Sequence, residues 1–114
     1  MTDNKEAQDH MKNGDALFEK GNFNEAIEEY QKTTELDPGF VDAYNNWGSA
    51  LDHLNKYEEA IGKYKKALEI DHDYVVAYNN WGKSLANLKK YEEAIEKYKK
   101  ALEIDHDYVV AYNN

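Results

Sequence analysis

A repeat of 34 residues constrains this chain more than any other feature. Residues 41–74 and 75–108 align without a gap and share 27 of 34 positions, and residues 7–40 align at the same spacing with ten identities. Residues 109–114 begin a fourth copy. Self-similarity at a fixed period of roughly 20–50 residues is typical of stacked repeat architectures. The sequence therefore predicts one domain over residues 1–114, made of three units and the start of a fourth.

Each unit has the pattern of two helices joined by a turn. In the second unit, apolar residues such as Trp47 and Leu51 recur three to four positions apart, which is helical spacing. The predicted helices span residues 41–54 and 57–70, with the turn at residues 55–56. Proline occurs only once in the whole chain, so little interrupts these helices. The expected fold class is all-α.

The small and large residues of each unit resemble the signature of the tetratricopeptide repeat family. The positions that carry the resemblance are Trp47, Gly48, Leu51, Ala60, Tyr64 and Ala67, repeated by Trp81, Gly82, Leu85, Ala94, Tyr98 and Ala101. The resemblance implies a right-handed superhelical stack of antiparallel helix-turn-helix units. It implies a scaffold for protein–protein interaction without identifying the partner, because one fold serves many functions.

Two kinds of position in the unit make specific conformational demands. Gly48 and its counterparts lie in the middle of the first helix, where glycine costs about 1 kcal/mol relative to alanine. We expect a neighbouring helix to approach closely there, with Ala60 and its counterparts facing the glycine. Gly21, Asn55 and Lys89 follow the first helix of each unit, where a left-handed residue is expected. Lys89 would adopt that conformation at some cost.

The resemblance also implies that the first helices of successive units line a concave groove that binds an extended or helical peptide. The predicted groove residues are Asn45, Asn46, Ser49, Asp52, His53, Asn79, Asn80, Lys83 and Asn87. Asn46, Asn80 and Asn114 form one register of an asparagine ladder, and Asn45, Asn79 and Asn113 form the adjacent register. A carboxamide offers both a donor and an acceptor, so such a ladder can pair with a peptide backbone. The alternative is that near-identical copies repeat every residue, whether or not it is used.

Members of this family that hold an acidic chaperone tail use Lys, Asn, Asn, Lys and Arg at fixed groove positions. The corresponding residues are Met11, Asp15, Asn46, Val76 and Asn80, so only Asn46 matches. Four groove positions carry carboxylates, namely Asp15, Glu19, Asp42 and Asp52. An acidic tail is therefore not the expected ligand.

Composition excludes several other classes of function. The net charge is −9, all fourteen basic residues are lysine, and cysteine is absent. Nucleic-acid binding relies on clusters of Lys and Arg, so neither nucleic acid nor an anionic membrane is an expected partner. The Asp-His-Asp turns at residues 71–73 and 105–107 offer too few ligands for a closed metal site. His53 and Ser49 lack an orienting third group, so the sequence predicts no enzyme, no cofactor and no metal.

The N-terminal residues are polar and no apolar run approaches the roughly 20 residues that span a bilayer. A cytoplasmic protein is therefore expected.

The C-terminal end suggests a different class of function. Repeat arrays need a polar terminal element to cover their last apolar face, and none follows residues 109–114. A self-assembling structural module is thus the alternative, with homo-oligomers formed through Tyr98, Leu102, Val109 and Tyr112. Residues 90–114 match residues 56–80 at 24 of 25 positions. That identity fits a recent duplication, an excerpt from a longer array or a designed array equally well.

Overall fold

The computed structural model describes residues 2–105, with side chains described for residues 5–105. Six helices occupy this range: α1 (Thr2–Glu19), α2 (Phe23–Leu36), α3 (Val41–His53), α4 (Tyr57–Ile70), α5 (Val75–Asn87) and α6 (Tyr91–Ile104). No strand occurs among the described residues. The predicted all-α fold is confirmed, and the helices of the second unit end within one residue of their predicted limits.

Each helix packs on its neighbours along the chain, so the units stack in order. Within the units α1 contacts α2, α3 contacts α4 and α5 contacts α6, while α2–α3 and α4–α5 contacts join one unit to the next. The first helices also touch one another directly, α1 on α3 and α3 on α5. These last contacts create one continuous surface from three different units. Among the described residues, no helix combines the length and the hydrophobicity that a membrane span requires.

The turn inside each unit adopts the left-handed conformation predicted from the sequence. Gly21, Asn55 and Lys89 have φ angles of 81°, 63° and 64°. This conformation turns the next backbone N–H towards the helix just completed, and the N–H of Lys56 donates to the carbonyl of Leu51 at 2.9 Å. The same geometry in all three units gives successive helix pairs the same arrangement.

The mid-helix glycines are closely approached, as predicted, but by a different side chain. A Cβ atom on Gly48 would lie 2.5 Å from Cε1 of Tyr64, and Gly14 and Gly82 have the same relation to Tyr30 and Tyr98. The atoms nearest to these glycines thus belong to tyrosine rather than to the expected alanine. The tyrosine ring of the second helix needs the space that a side chain on the first helix would fill.

The tryptophans belong to the packing between helices. Trp47 packs against the core cluster that contains Leu51 and Tyr64. Its outer face is covered by Lys63, whose Nζ lies 3.7 Å from the ring centroid. Burial lowers the pKa of the Lys63 ammonium group. The tryptophans are therefore part of the helix packing, as expected for large aromatic residues at these repeat positions.

Candidate binding face on the first helices

The surface shared by α1, α3 and α5 carries most of the predicted site residues, and we call it the first-helix face. Its exposed or half-buried members are Lys12, Asp15, Phe18, Glu19, Asp42, Asn46, Ser49, Asp52, His53, Val76, Asn80, Lys83, Ala86 and Asn87. A concavity of about 340 Å³ lies between α1 and α3 on this face, lined by Asp15, Phe18, Glu19, Tyr30, Asn46 and Ser49.

Asp15 is held in place by donors from two units. The Tyr30 hydroxyl donates to its carboxylate at 2.7 Å, and the Asn46 carboxamide donates to the same oxygen, Oδ1, at 3.1 Å. Burial, followed by the hydrogen bond to the carboxylate, raises the pKa of the Tyr30 hydroxyl far above its ordinary value. Tyr30 therefore stays a donor. Both of these donors bind Oδ1, which leaves the second carboxylate oxygen of Asp15 able to accept a hydrogen bond from a ligand.

Asp52 has an equivalent role in the second unit, from a different position in its helix. It accepts hydrogen bonds from the Tyr64 hydroxyl at 2.5 Å and from the Ser84 hydroxyl of the third unit at 2.7 Å. Burial raises the pKa of the Asp52 carboxyl, and these two hydrogen bonds partly offset the increase. Both carboxylates thus connect neighbouring units while they stay on the first-helix face.

The asparagine ladder is only half on the surface. Asn45 and Asn79 are 5% and 3% exposed, so they lie beneath the first-helix face and leave no surface for a peptide. This corrects their predicted place in the groove. The Asn45 carboxamide donates to Asn46 at 3.3 Å and accepts from Asn80 at 3.1 Å. The buried register therefore connects the units, and Asn46 and Asn80 are half-buried at the surface.

Phe18, which lines the concavity, belongs to a cluster of three aromatic rings. The rings of Phe18 and Phe23 lie 5.2 Å apart, and the His53 ring lies 5.1 Å and 4.6 Å from them. Nδ1 of His53 is 3.3 Å from the Ser49 carbonyl oxygen, and this backbone contact helps to position the exposed ring.

The sequence did not indicate Tyr30, Phe23 and Ser84 as members of the site, since only the packing of the helices brings them close to this face.

The third unit presents a different surface. Ala86 stands where Asp52 stands in the second unit, so no hydrogen bond from the Tyr98 hydroxyl is found among the described residues. Lys83 and Asn87 are exposed. This end of the face is therefore less acidic than the end formed by α1 and α3.

The residues predicted for self-association are placed unevenly. Tyr98 is 6% exposed, with its ring against Gly82, so it offers little contact surface, and Leu102 is half-buried. Val109 and Tyr112 lie outside the described residues. The apolar side chains that the structure does expose at this end are Tyr91 at 58% and Ile95 at 51%, which the sequence pattern did not single out.

No grouping of three His, Cys, Asp or Glu side chains suited to a metal ion occurs in the described part of the chain. The residues of the first Asp-His-Asp turn are all exposed, and Nδ1 of His72 lies 3.3 Å from the Asp73 carboxylate.

Family models match the repeats along nearly the whole chain. A TPR repeat model matches residues 14–52 and 53–89, and a tetratricopeptide repeat model matches residues 75–108. The chain belongs to the tetratricopeptide repeat family. No curated protein matches the sequence.

Several solved structures share the fold of this tetratricopeptide repeat protein. The first TPR domain of Spaghetti (RPAP3), bound to the HSP90 peptide SRMEEVD, is 29% identical with a TM-score of 0.92, covering 96% of this chain and 87% of that one. The first TPR domain of human RPAP3 is 30% identical with a TM-score of 0.91, covering 95% and 85%. The TPR2AB domain of yeast Sti1 in complex with pHSP90 is 26% identical with a TM-score of 0.88, covering 95% and 42%.

Proposed function

We propose that this protein is a non-catalytic interaction scaffold that binds an extended or helical peptide of another protein along the first-helix face. The observation that carries the proposal is where the two near-identical units differ. The second and third units differ at seven positions, and four of them lie on this face: Asp42/Val76, Ser49/Lys83, Asp52/Ala86 and His53/Asn87. Duplication of one unit does not by itself explain why the differences between the two units concentrate on one surface.

A fifth difference supports the same interpretation. Position 84 is serine where the second unit has Ala50, and the Ser84 hydroxyl donates to Asp52. The second and third units thus differ both at Asp52 and at the buried position that supplies its hydrogen bond from Ser84. Neighbouring tetratricopeptide structures hold HSP90 peptides, which supports a peptide as the general type of ligand.

The charge of the face favours a basic peptide. Asp15 and Glu19 line the concavity between α1 and α3, and Phe18 supplies an apolar wall beside them. A Lys or Arg side chain can lay its aliphatic stem on an aromatic ring and direct its charged head to a carboxylate. The SRMEEVD peptide bound by a neighbour carries carboxylates instead. Like charges across an interface oppose binding.

The test compares two labelled peptides by fluorescence anisotropy, SRMEEVD and a variant in which the two glutamates and the aspartate become lysine. We expect the lysine peptide to bind and SRMEEVD not to bind. Glu19→Lys should weaken the lysine peptide at least tenfold, about 1.4 kcal/mol, because attraction becomes repulsion. Glu28→Lys makes the same change at an exposed position on α2 and serves as the control. Equal affinity for the two peptides, or equal effects of the two variants, would refute the basic-peptide proposal.

Variants of the ladder need a stability control. Asn46 and Asn80 each donate a hydrogen bond inside the protein, so their replacement by alanine should lower stability by about 0.5–1.5 kcal/mol per bond. A loss of peptide binding can be interpreted only if circular dichroism, recorded without denaturant, shows that the variant keeps its helices. Lost binding with intact helices would support a peptide-facing role of the ladder, and unchanged binding would favour simple copying.

Self-association through the C-terminal end is the second candidate function. It rests on the exposure of Tyr91 and Ile95, because contiguous exposed apolar surface usually marks a contact site. Sedimentation over a wide concentration range tests it. Growth in mass that Ile95→Asp abolishes would support self-association, and a monomer at every concentration would exclude it.

A further inference from the structure

One difference between the second and third units lies outside the first-helix face, and packing does not explain it. Gly62 stands in the middle of α4, where the first and third units have Glu28 and Glu96. Glycine is the poorest helix former after proline, and a Cβ atom on Gly62 would meet nothing within 4 Å. Neither a turn nor a close contact therefore requires glycine at this exposed position.

A concavity of about 380 Å³ lies between α2 and α4 at this glycine, and we call it the Gly62 cleft. Among its lining residues are Glu35, Tyr44, Trp47, Gly62, Lys63 and Lys66. The half-buried rings of Tyr44 and Trp47 are stacked, with 6.1 Å between their centroids and 9° between their planes. Aromatic rings favour contact with further aromatic rings, so these two suit an aromatic group of a ligand.

The lysine side of the cleft lacks a carboxylate that the other units provide. Glu28 and Glu96 precede Lys32 and Lys100 by four positions, which is the spacing and order at which Glu and Lys attract on a helix. Lys66 has Gly62 at that position instead. Its remaining ion pair, to a glutamate at 3.7 Å, is exposed, and such pairs contribute little.

Lys63 adds a second cation beside Lys66. It lies over the Trp47 ring and forms no ion pair among the described residues. Burial lowers the pKa of the Lys63 ammonium group, and the charge of Lys66 acts in the same direction, whereas Glu59 opposes it. Glu35 is the one carboxylate in the lining, so the two lysines leave an excess of positive charge.

The third unit shows which group fits beside such lysines. A concavity between α4 and α6 is also about 380 Å³, and Glu96 lines it together with Lys65, Trp81 and Lys97. A carboxylate therefore shares that concavity with a tryptophan and two lysines. The Gly62 cleft has the tryptophan and two lysines but not this glutamate.

From these observations we propose that the Gly62 cleft binds an acidic peptide segment of another protein, in which an aromatic residue stands next to Asp or Glu. The carboxylate of the ligand takes the place of the absent glutamate beside Lys63 and Lys66, and the aromatic ring packs against Tyr44 and Trp47. The cleft shares no residue with the concavity at Asp15 and does not depend on peptide binding there. The two sites take ligands of opposite charge.

Fluorescence anisotropy with a labelled peptide of sequence EEFEE tests the choice of ligand. We expect saturable one-to-one binding. The peptides EEAEE and SRMEEVD are acidic but have no aromatic residue, and they should bind at least tenfold more weakly because the contact with the stacked rings is lost.

The position of the glycine is tested by changing it to the residue of the third unit. Gly62→Glu should weaken EEFEE at least tenfold, because its carboxylate occupies the cleft and repels the ligand. The same change should raise the urea midpoint, since glutamate is the better helix former, so the loss of binding cannot come from unfolding. Glu96→Gly opens the corresponding concavity and should raise the stoichiometry from one peptide to two.

A matched pair of lysine variants tests the charge. Lys66→Gln should weaken EEFEE about two- to fivefold, as expected for one exposed ion pair. Lys100→Gln is the control, because Lys100 also pairs with a glutamate three positions later, at 3.9 Å, and lies outside the Gly62 cleft. This control should leave the binding unchanged.

Several results would overturn the inference. They are the absence of saturable binding, equal affinities for EEFEE and EEAEE, unchanged affinity in Gly62→Glu, equal effects of the two lysine variants, and a single site in Glu96→Gly. A protein that sediments as a larger species, dissociated by Gly62→Glu, would assign the cleft to a second copy. Glu19→Lys should leave EEFEE binding unchanged, which separates the inference from the basic-peptide proposal, and a loss there would place EEFEE on the first-helix face.

Discussion

Alanine substitution at two helical glycines should change stability in opposite directions. Gly48 lies in α3 and Gly62 in α4, and alanine at either position gains about 1 kcal/mol of helix propensity. At Gly62 the added Cβ meets nothing within 4 Å, so the whole gain should appear. At Gly48 the Cβ would lie 2.5 Å from Cε1 of Tyr64 and 2.9 Å from Cδ1.

The Tyr64 ring cannot move aside easily. It is fully buried, and its hydroxyl is held by Asp52 at 2.5 Å. Overpacking a well-packed core costs about 1–3 kcal/mol, and a fixed ring places Gly48→Ala in the upper half of that range. After subtraction of the helix-propensity gain, Gly48→Ala should destabilise by about 1–2 kcal/mol, whereas Gly62→Ala stabilises by about 1 kcal/mol.

Urea unfolding followed by far-UV circular dichroism measures both variants against the parent protein. Equal denaturant slopes would show that the midpoint shift reports stability and not a change in the unfolded state. A Gly48→Ala protein that is as stable as Gly62→Ala would refute the steric argument. It would mean that the backbone of α3 shifts away from α4 at little cost.

Three further changes test other regions of the structure. Lys89→Gly should stabilise by about 0.5–1 kcal/mol in urea unfolding, because a lysine at φ 64° is strained, and an unchanged midpoint would contradict that. The hydrogen bond from His10 lowers the pKa of the Glu29 carboxyl group below its ordinary value of 4.5. The stability that this hydrogen bond contributes is therefore present above pH 4.5, and it is lost as the pH falls through the pKa of the folded state. Glu29→Gln should therefore flatten the acid side of the stability profile, and an identical profile would argue against the pairing. Tyr64→Phe should lower the free energy of unfolding by about 1.5–3 kcal/mol, because the hydrogen bond to the Asp52 carboxylate is lost. Tyr98→Phe should change it by no more than about 0.5 kcal/mol, and equal effects of the two variants would contradict this difference.

The fold could be predicted from the sequence alone, because the same helix and turn signals occur in each of the three units. Helical spacing defined the elements, and the turn residues Gly21, Asn55 and Lys89 indicated the left-handed φ angles. A recurring mid-helix glycine also predicted a close approach. These properties follow from neighbours along the chain and from an apolar pattern that stacking of the units buries.

Which side chains remain available for binding depends on how the units pack. Asn45 and Asn46 are adjacent in sequence and chemically identical, yet the first is buried between units and the second reaches the first-helix face. Ile61 and Ile95 belong to nearly identical helices, yet only Ile61 is covered, because coverage depends on the helix that comes next. Exposure and pairing are relations between units, so they cannot be inferred from the sequence of any one unit.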